Sequence, residues 1–141
     1  LIRIDHVMLC VPDLNAGIAQ FKKLGFNVYA GGDHPGKGTH NAIAFNQDEY
    51  IELLTIRDQA EHRAASSKPG GADTALNEFI AAGGGIRYVI LQSDDLTADV
   101  AAMRGRDVDV SDAIDGNRRT AAGQELRWKV ATLGAKNALP T

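Results

Sequence analysis

The chain has 141 residues, 44% of them hydrophobic and 23% charged, the proportions of one ordinary globular domain with room for a single core. Eighteen acidic against fifteen basic side chains give a net charge of −3. There is no Lys/Arg block to neutralise phosphates and no apolar run near the roughly 20 residues of a membrane-spanning helix, so neither nucleic acid nor membrane is the expected partner.

In chain order, residues 2–11 are rich in β-formers and stop at Pro12-Asp13, which predicts a strand. Leu14, Ile18, Phe21 and Leu24 then recur at helical spacing behind Asp13, a good N-cap, and ahead of Gly25, a good terminator, so a helix follows. Residues 26–30 read as a short strand and 31–39 as a loop. The apolar runs 41–45 and 50–56, separated by Asn46-Gln47-Asp48-Glu49, predict a hairpin. The first 56 residues therefore read β-α-β-β-β. Residues 57–71 are polar and lack an apolar period, which predicts a connector. A short helix with Leu76, Phe79 and Ile80 on one face ends at Gly83-Gly84-Gly85. A strand over 86–92, a helix capped by Asp95, and strands around 108–110 and 126–133 complete the reading.

The second half repeats the first. Val7-Met-Leu-Cys-Val-Pro-Asp-Leu14 aligns with Val89-Ile-Leu-Gln-Ser-Asp-Asp-Leu96, with Val, Leu, Asp and Leu identical in the same strand, cap and helix order. The expected organisation is one domain, 1–141, made of a first module (1–56), a connector with a short helix (57–85) and a second module (86–141). The second module lacks its last strand in this reading, because Ala138-Leu139-Pro140-Thr141 reads only as the approach to it. The single Cys10 forms no internal disulfide and no signal peptide precedes it, which gives a cytoplasmic expectation, while the absence of a basic block leaves a small molecule as the expected partner.

A paired β-α-β-β-β module that opens Ile4-Asp5-His6-Val7 and closes its first copy with Tyr50-Ile51-Glu52-Leu53-Leu54 resembles the vicinal oxygen chelate superfamily. That group includes glyoxalases, extradiol dioxygenases, epimerases and bleomycin-resistance proteins. The stretch His34-Pro-Gly-Lys-Gly-Thr-His-Asn41 is similar to its glyoxalase-like branch. The resemblance implies an α+β fold in which the paired modules curl into a half-barrel cup. It also implies a divalent metal (zinc, iron, manganese or nickel) in that cup, and a homodimer.

Strand alternation nominates the cup-facing residues, since positions two apart share a face. With Val7 and Leu9 toward the helices, His6, Met8 and Cys10 face the cup. Tyr50, Glu52 and Leu54 join them, as do His40, Ala42 and Ala44 if Ile43 and Phe45 go to the core. Tyr88, Ile90 and Gln92 face the cup in the second module. The resemblance makes His6 and Glu52 metal ligands, with Glu52 also the catalytic proton carrier. His40 stands in as a third ligand, because Tyr88 occupies the place of the second module's histidine. His40, Tyr50, Tyr88, Met8 and Trp128 are the expected substrate contacts, with Trp128 a core or cup-wall residue. The plain alternative pairs Glu52 with Tyr88 or His6 by a hydrogen bond without a metal, since a buried carboxylate needs a partner. His34 and His62 read as solvated. Gly31-x4-Gly36-Lys37 fails as a phosphate loop: Gly38 replaces the hydroxyl residue, Pro35 removes a donor and a strand follows.

Two functions follow. One is a metal-dependent lyase, isomerase or dioxygenase that polarises vicinal oxygens of a small substrate. The other is metal-free sequestration of a small ligand, as in bleomycin resistance.

Overall fold

A computed structural model describes residues 3–46, 49–68, 72–120 and 122–134. The order is β1 (Arg3–Cys10), α1 (Leu14–Lys23), β2 (Asn27–His34), β3 (Thr39–Asn46), β4 (Glu49–Ile56), α2 (Gln59–Ser66), α3 (Leu76–Ala81), β5 (Gly85–Gln92), α4 (Leu96–Arg104), β6 (Ile114–Arg119) and β7 (Glu125–Val130). Five strands form a sheet ordered β2-β3-β4-β1-β5, and β6 pairs with β7 in a separate ribbon. β1 runs parallel to β4; the other neighbours are antiparallel. β6 lies beside β2, which brings the ribbon to the edge of the sheet farthest from β5. The α+β architecture expected from sequence is therefore present.

The β1–β5 register is centred on the sequence repeat. β1 and β5 pair through Val7 with Val89, His6 with Ile90 and Met8 with Tyr88. Val7 and Val89 are the same position in the two halves, so a local twofold axis passes between them and makes His6 and Tyr88 equivalent. The helices obey the same relation: Asp13 accepts from the Ala16 N–H, and Asp95 from the Ala98 N–H, each closing an N-terminal turn. Gly25 (φ 94°) and Asp107 (φ 60°) take left-handed backbone at matching places beyond the helix ends, a conformation that Asp tolerates better than most side chains.

Three expectations about elements are corrected. Residues 57–71 are not a plain connector, because Asp58 accepts from the Ala60 and Glu61 N–H groups and starts α2. β2 continues through His34, so the preceding loop shrinks to a turn at 35–38. Around 108–110 there is only an isolated bridge, Val110 to Leu133, and the strand lies at Ile114–Arg119, a stretch that reads as a turn. The segment Ala138–Thr141 falls outside the described residues.

Residues opposite one another on neighbouring strands share a face. One face of the sheet carries Ala42, Ala44 and Leu53, all fully buried. α1 packs against β2, β3 and β4, and the two alanines let it approach closely. On the other face, Cys10 and Leu54 pack with Leu76, Phe79 and Ile80 from α3, together with Met8 and Ile56. α3 thus covers one end of the concave face, and among the described residues it does not pack on the end around His6 and Tyr50. The turn at 35–38 is held by α2. Gly36 N–H donates to Glu61 Oε1 (2.6 Å), and the Arg57 and Asp58 N–H groups donate to the Gly38 carbonyl. Gly38 has φ 68°, and a Cβ there would meet the backbone of His62, so only glycine fits.

Candidate functional site

His6 on β1 and Glu52 on β4 meet on the concave face, because parallel pairing sets Met8 beside Glu52 and His6 beside Tyr50. His6 Nε2 lies 3.5 Å from Glu52 Oε2, and the side chains are 13% and 10% exposed, so the ion pair is largely withdrawn from water. Each member has a second partner: His6 Nδ1 is 2.6 Å from Asp5 Oδ2, and Asn41 Nδ2 donates to Glu52 Oε1 at 2.5 Å. Tyr50 stacks on the His6 ring with centroids 4.4 Å apart and an interplanar angle of 11°.

The electrostatics follow from these contacts. Burial pulls the His6 pKa down, but its bonds and charge attraction to Glu52 and Asp5 outweigh that and leave it raised. Burial pushes Glu52 up, but hydrogen bonds from His6 and Asn41 and the charges of His34 and His6 leave it lowered. His6 thus holds its proton more tightly than a free imidazole, and Glu52 gives its proton up more readily than a free carboxyl. Two titratable groups pushed apart in this way, side by side in a nearly dry place, are the arrangement that general acid–base chemistry needs.

His40 is corrected. The β3–β4 register sets Asn41 opposite Leu54 and Ile43 opposite Glu52, while His40 lies opposite Thr55. His40 therefore shares the α1 side with Ala42 and Ala44, away from Glu52, and is neither a third ligand nor a concave-face contact. Asn41 takes the place beside Glu52 that alternation assigned to its neighbours. Its side chain fits because residue 31 is glycine; a Cβ there would collide with the Asn41 amide.

Two histidines read as solvated are not. His34 bonds through Nδ1 to Thr39 Oγ1 (2.8 Å), is half-buried, and acts on Glu52 by its charge. His62 is 2% exposed and donates from Nδ1 to the Lys37 carbonyl (3.0 Å). The signal for His34 is the parity of β2: opposite Thr39, it must share the concave face.

Tyr88 shares a face with Met8, but its hydroxyl donates to Asp73 Oδ2 (2.9 Å). Asp73 also takes a bidentate bond from Arg87, whose guanidinium sits 5.1 Å from the Phe79 ring centre and 5.3 Å from that of Tyr88. This knot latches the segment that carries α3. Met8 packs into the α3 cluster. Trp128 is 42% exposed and lies across Gly116 in the β6–β7 ribbon, so it is not a core residue. Cys10 is buried and its thiol is pushed up to about 11, chiefly by burial, which makes it packing and not a nucleophile.

A metal needs more than a pair. Asp5 behind His6 is the carboxylate–histidine arrangement common behind metal ligands. Among the described residues, however, no group of three or more His, Cys, Asp or Glu is placed to hold an ion. Among those residues also, no helix is long and apolar enough to cross a membrane.

Comparison with known proteins supplies the fold. A family model described as glyoxalase-like domain matches residues 4–141. No curated protein matches the sequence. A hypothetical protein from Staphylococcus aureus superposes with TM-score 0.81 at 20% identity, covering 98% of this chain and 55% of that one. The chain thus spans about half the length of that protein. Methylmalonyl-CoA epimerase from Streptomyces coelicolor, in complex with 2-nitronate-propionyl-CoA, gives TM-score 0.59 at 23% identity over 91% of this chain and 86% of its own. The Mycobacterium tuberculosis methylmalonyl-CoA epimerase gives 0.61 at 19%, over 90% and 77%. At these identities the structural likeness speaks for the fold alone.

Proposed function

Because the chain belongs to the glyoxalase-like domain family, we propose that its concave face binds a small organic molecule and that the His6–Glu52 pair moves a proton on it, an isomerase-type role. The observation that carries the reading is the buried ion pair, held from both sides by Asp5 and Asn41. A carboxyl whose pKa is lowered is well suited to take a proton from a carbon next to a carbonyl, and a histidine whose pKa is raised is well suited to give one to an enolate oxygen. The structural likeness to methylmalonyl-CoA epimerases makes acyl thioesters a reasonable substrate class to try.

A divalent metal would be held here by His6 and Glu52, with Asp5 orienting the imidazole. Among the described residues the donor set stops at those two. The place of the second module's histidine is taken by Tyr88, already committed to Asp73, and that favours a second reading: metal-free binding without chemistry.

Solvent exchange separates the two. In deuterium oxide, propionyl-CoA and hydroxyacetone are each incubated with the protein, with and without added zinc, manganese or nickel, and followed by proton NMR. Incorporation at the carbon beside the carbonyl, reduced roughly 100-fold or more in Glu52→Gln, supports proton transfer. Binding of either compound without exchange in any condition favours sequestration.

A further inference from the structure

On the sheet face opposite the ion pair, β1 and β5 carry six aliphatic side chains in three facing pairs. Ile4 opposes Leu91, Val7 opposes Val89 and Leu9 opposes Ile86. They lie on the side that α1 packs against, but α1 sits on β2, β3 and β4. The strip over β1 and β5 meets water: Val89 is 52% exposed, Ile4 54%, Leu91 45% and Ile86 67%, with Val7 and Leu9 half-buried among them. A contiguous apolar patch of a few hundred Å² is of the size that marks an interaction surface. The strip also has the symmetry of the repeat. The relation that carries Val7 onto Val89 carries Ile4 onto Ile86 and Leu9 onto Leu91, each time onto an identical residue. It therefore turns the pair Ile4–Leu91 onto the pair Ile86–Leu9. Even the irregularities obey it, because the pairing skips Asp5 in β1 and Arg87 in β5, which are equivalent positions.

We propose that this strip is the contact between two copies of the chain, stacked back to back so that each β1–β5 strip lies against the other. An interface between identical copies must be complementary to itself, since the same patch serves on both sides. A patch with a twofold axis at its centre goes far toward meeting that demand. Each contact made by Ile4, Val7 or Leu9 is repeated in kind by Ile86, Val89 or Leu91, so a contact that an ordinary dimer makes twice is made four times. Six aliphatic side chains offer nothing to a charged partner, and a single added peptide strand would use the edge of β5 and leave the face uncovered. A second sheet covers it, because sheets stack about 10 Å apart with their side chains interleaved. The patch falls short of the roughly 800 Å² per partner of a standard interface, so the dimer is a weak one, with a Kd on the order of 100 µM. His6 and Glu52 lie on the other side of the sheet, so this contact and the concave face are separate surfaces.

Sedimentation equilibrium from about 10 µM to 1 mM tests this, and wild type should pass from monomer to dimer within that range. Val89→Glu and Val89→Lys, at a half-exposed position beside the axis, should each weaken association at least tenfold with unchanged circular-dichroism spectra, because like charges then meet at the centre of the contact. An equimolar mixture of the two should associate at least tenfold more tightly than either alone, since each copy now presents the opposite charge to the other. Ile86→Lys, at the most exposed of the six positions, should show the same loss and serves if a Val89 variant fails to fold. Wild type that stays monomeric at 1 mM overturns the proposal and leaves the strip to a different occupant. Association undiminished in the Val89 and Ile86 variants overturns it by assigning the dimer to another surface. A mixture no tighter than its components overturns the back-to-back stacking about the common axis. The proton-transfer reading stands or falls separately, on deuterium incorporation and its dependence on Glu52.

Discussion

At the scale of single residues, the site is an electrostatic balance that pH can shift from either side. His6 has a raised pKa, so its contribution to stability is full below its ordinary value of 6.5 and fades as pH climbs through the higher folded value. Glu52 has a lowered pKa, so its contribution is full above its ordinary value of 4.5 and fades as pH falls through the lower folded value. The pair therefore supports the fold most between about pH 4.5 and 6.5. Thermal melts across pH 3–9 should show wild type losing its advantage over His6→Gln with Glu52→Gln at both extremes; a constant difference would mean that the pair carries no net charge coupling. Removing only one partner is costlier than removing both. Asn41→Ala strips Glu52 of its neutral donor in a buried place, and the expected loss is about 1–3 kcal/mol by urea unfolding. Gly31→Ala should act through the same contact by pushing the Asn41 amide aside, and it should destabilise by about 1–3 kcal/mol as well.

The residue scale also shows where reading the chain reached its limit. Alternation separated the two faces of β3 but did not say which was which. The natural guess sent the large Ile43 and Phe45 to the helix and opened the cup with Ala42 and Ala44. The molecule does the reverse, because close packing of α1 needs small residues and the concave face holds the rings. His6 and Glu52 were legible together, since a charge inside an apolar strand demands a partner. Asn41 and His34 were not, because their roles depend on cross-strand register, which no local pattern reveals.

Among the elements, α1 and α4 were plain from their caps and period, whereas α2 was hidden by its composition. Its stability comes from the Asp58 cap and from clamping the turn at 35–38, with His62 buried against the Lys37 carbonyl. The sequence marks the start as Asp58-Gln-Ala-Glu61, a capping signature without the apolar stripe that usually accompanies it. The two equivalent caps make a matched experiment. Asp13→Ala and Asp95→Ala should each cost about 1 kcal/mol in urea unfolding, and a cost confined to Asp13 would mean that α4 contributes little to the folded core. α3 is a different kind of element: six residues held by the Leu76 contact and by Asp73 bonding Arg87 and Tyr88. Tyr88→Phe removes one hydrogen bond from that latch. It should raise amide hydrogen exchange in α3 while leaving β3 and β4 protected, a contrast that exchange mass spectrometry resolves.

Over the whole molecule, the twofold relation makes His6 and Tyr88 the same position used in two ways, one in the ion pair and one in the latch. Tyr88→His would place a histidine on each side of the axis, and isothermal titration with zinc should show tighter binding than wild type. Unchanged affinity would mean that the two positions do not converge on one ion. The recurrence of strand, cap and helix in β1–α1 and β5–α4 was legible in the sequence because the same residue types recur in step. The shifted β6 was not, because the repeat loses its spacing after Asp107.

The same axis has a kinetic consequence. β2, β3 and β4 meet through neighbours close in sequence, whereas β1 pairs with β5 over separations such as Arg3 to Gln92. Closing so long a loop is slow compared with forming a hairpin. The β2-β3-β4 meander is therefore expected to assemble first and the β1–β5 seam late, with β1 carrying His6 into place beside a waiting Glu52. In a pulse-labelling experiment the amides of β3 should gain protection before those of β5. The docking of β1 against β4 then marks the moment when the chemistry of the concave face comes into existence.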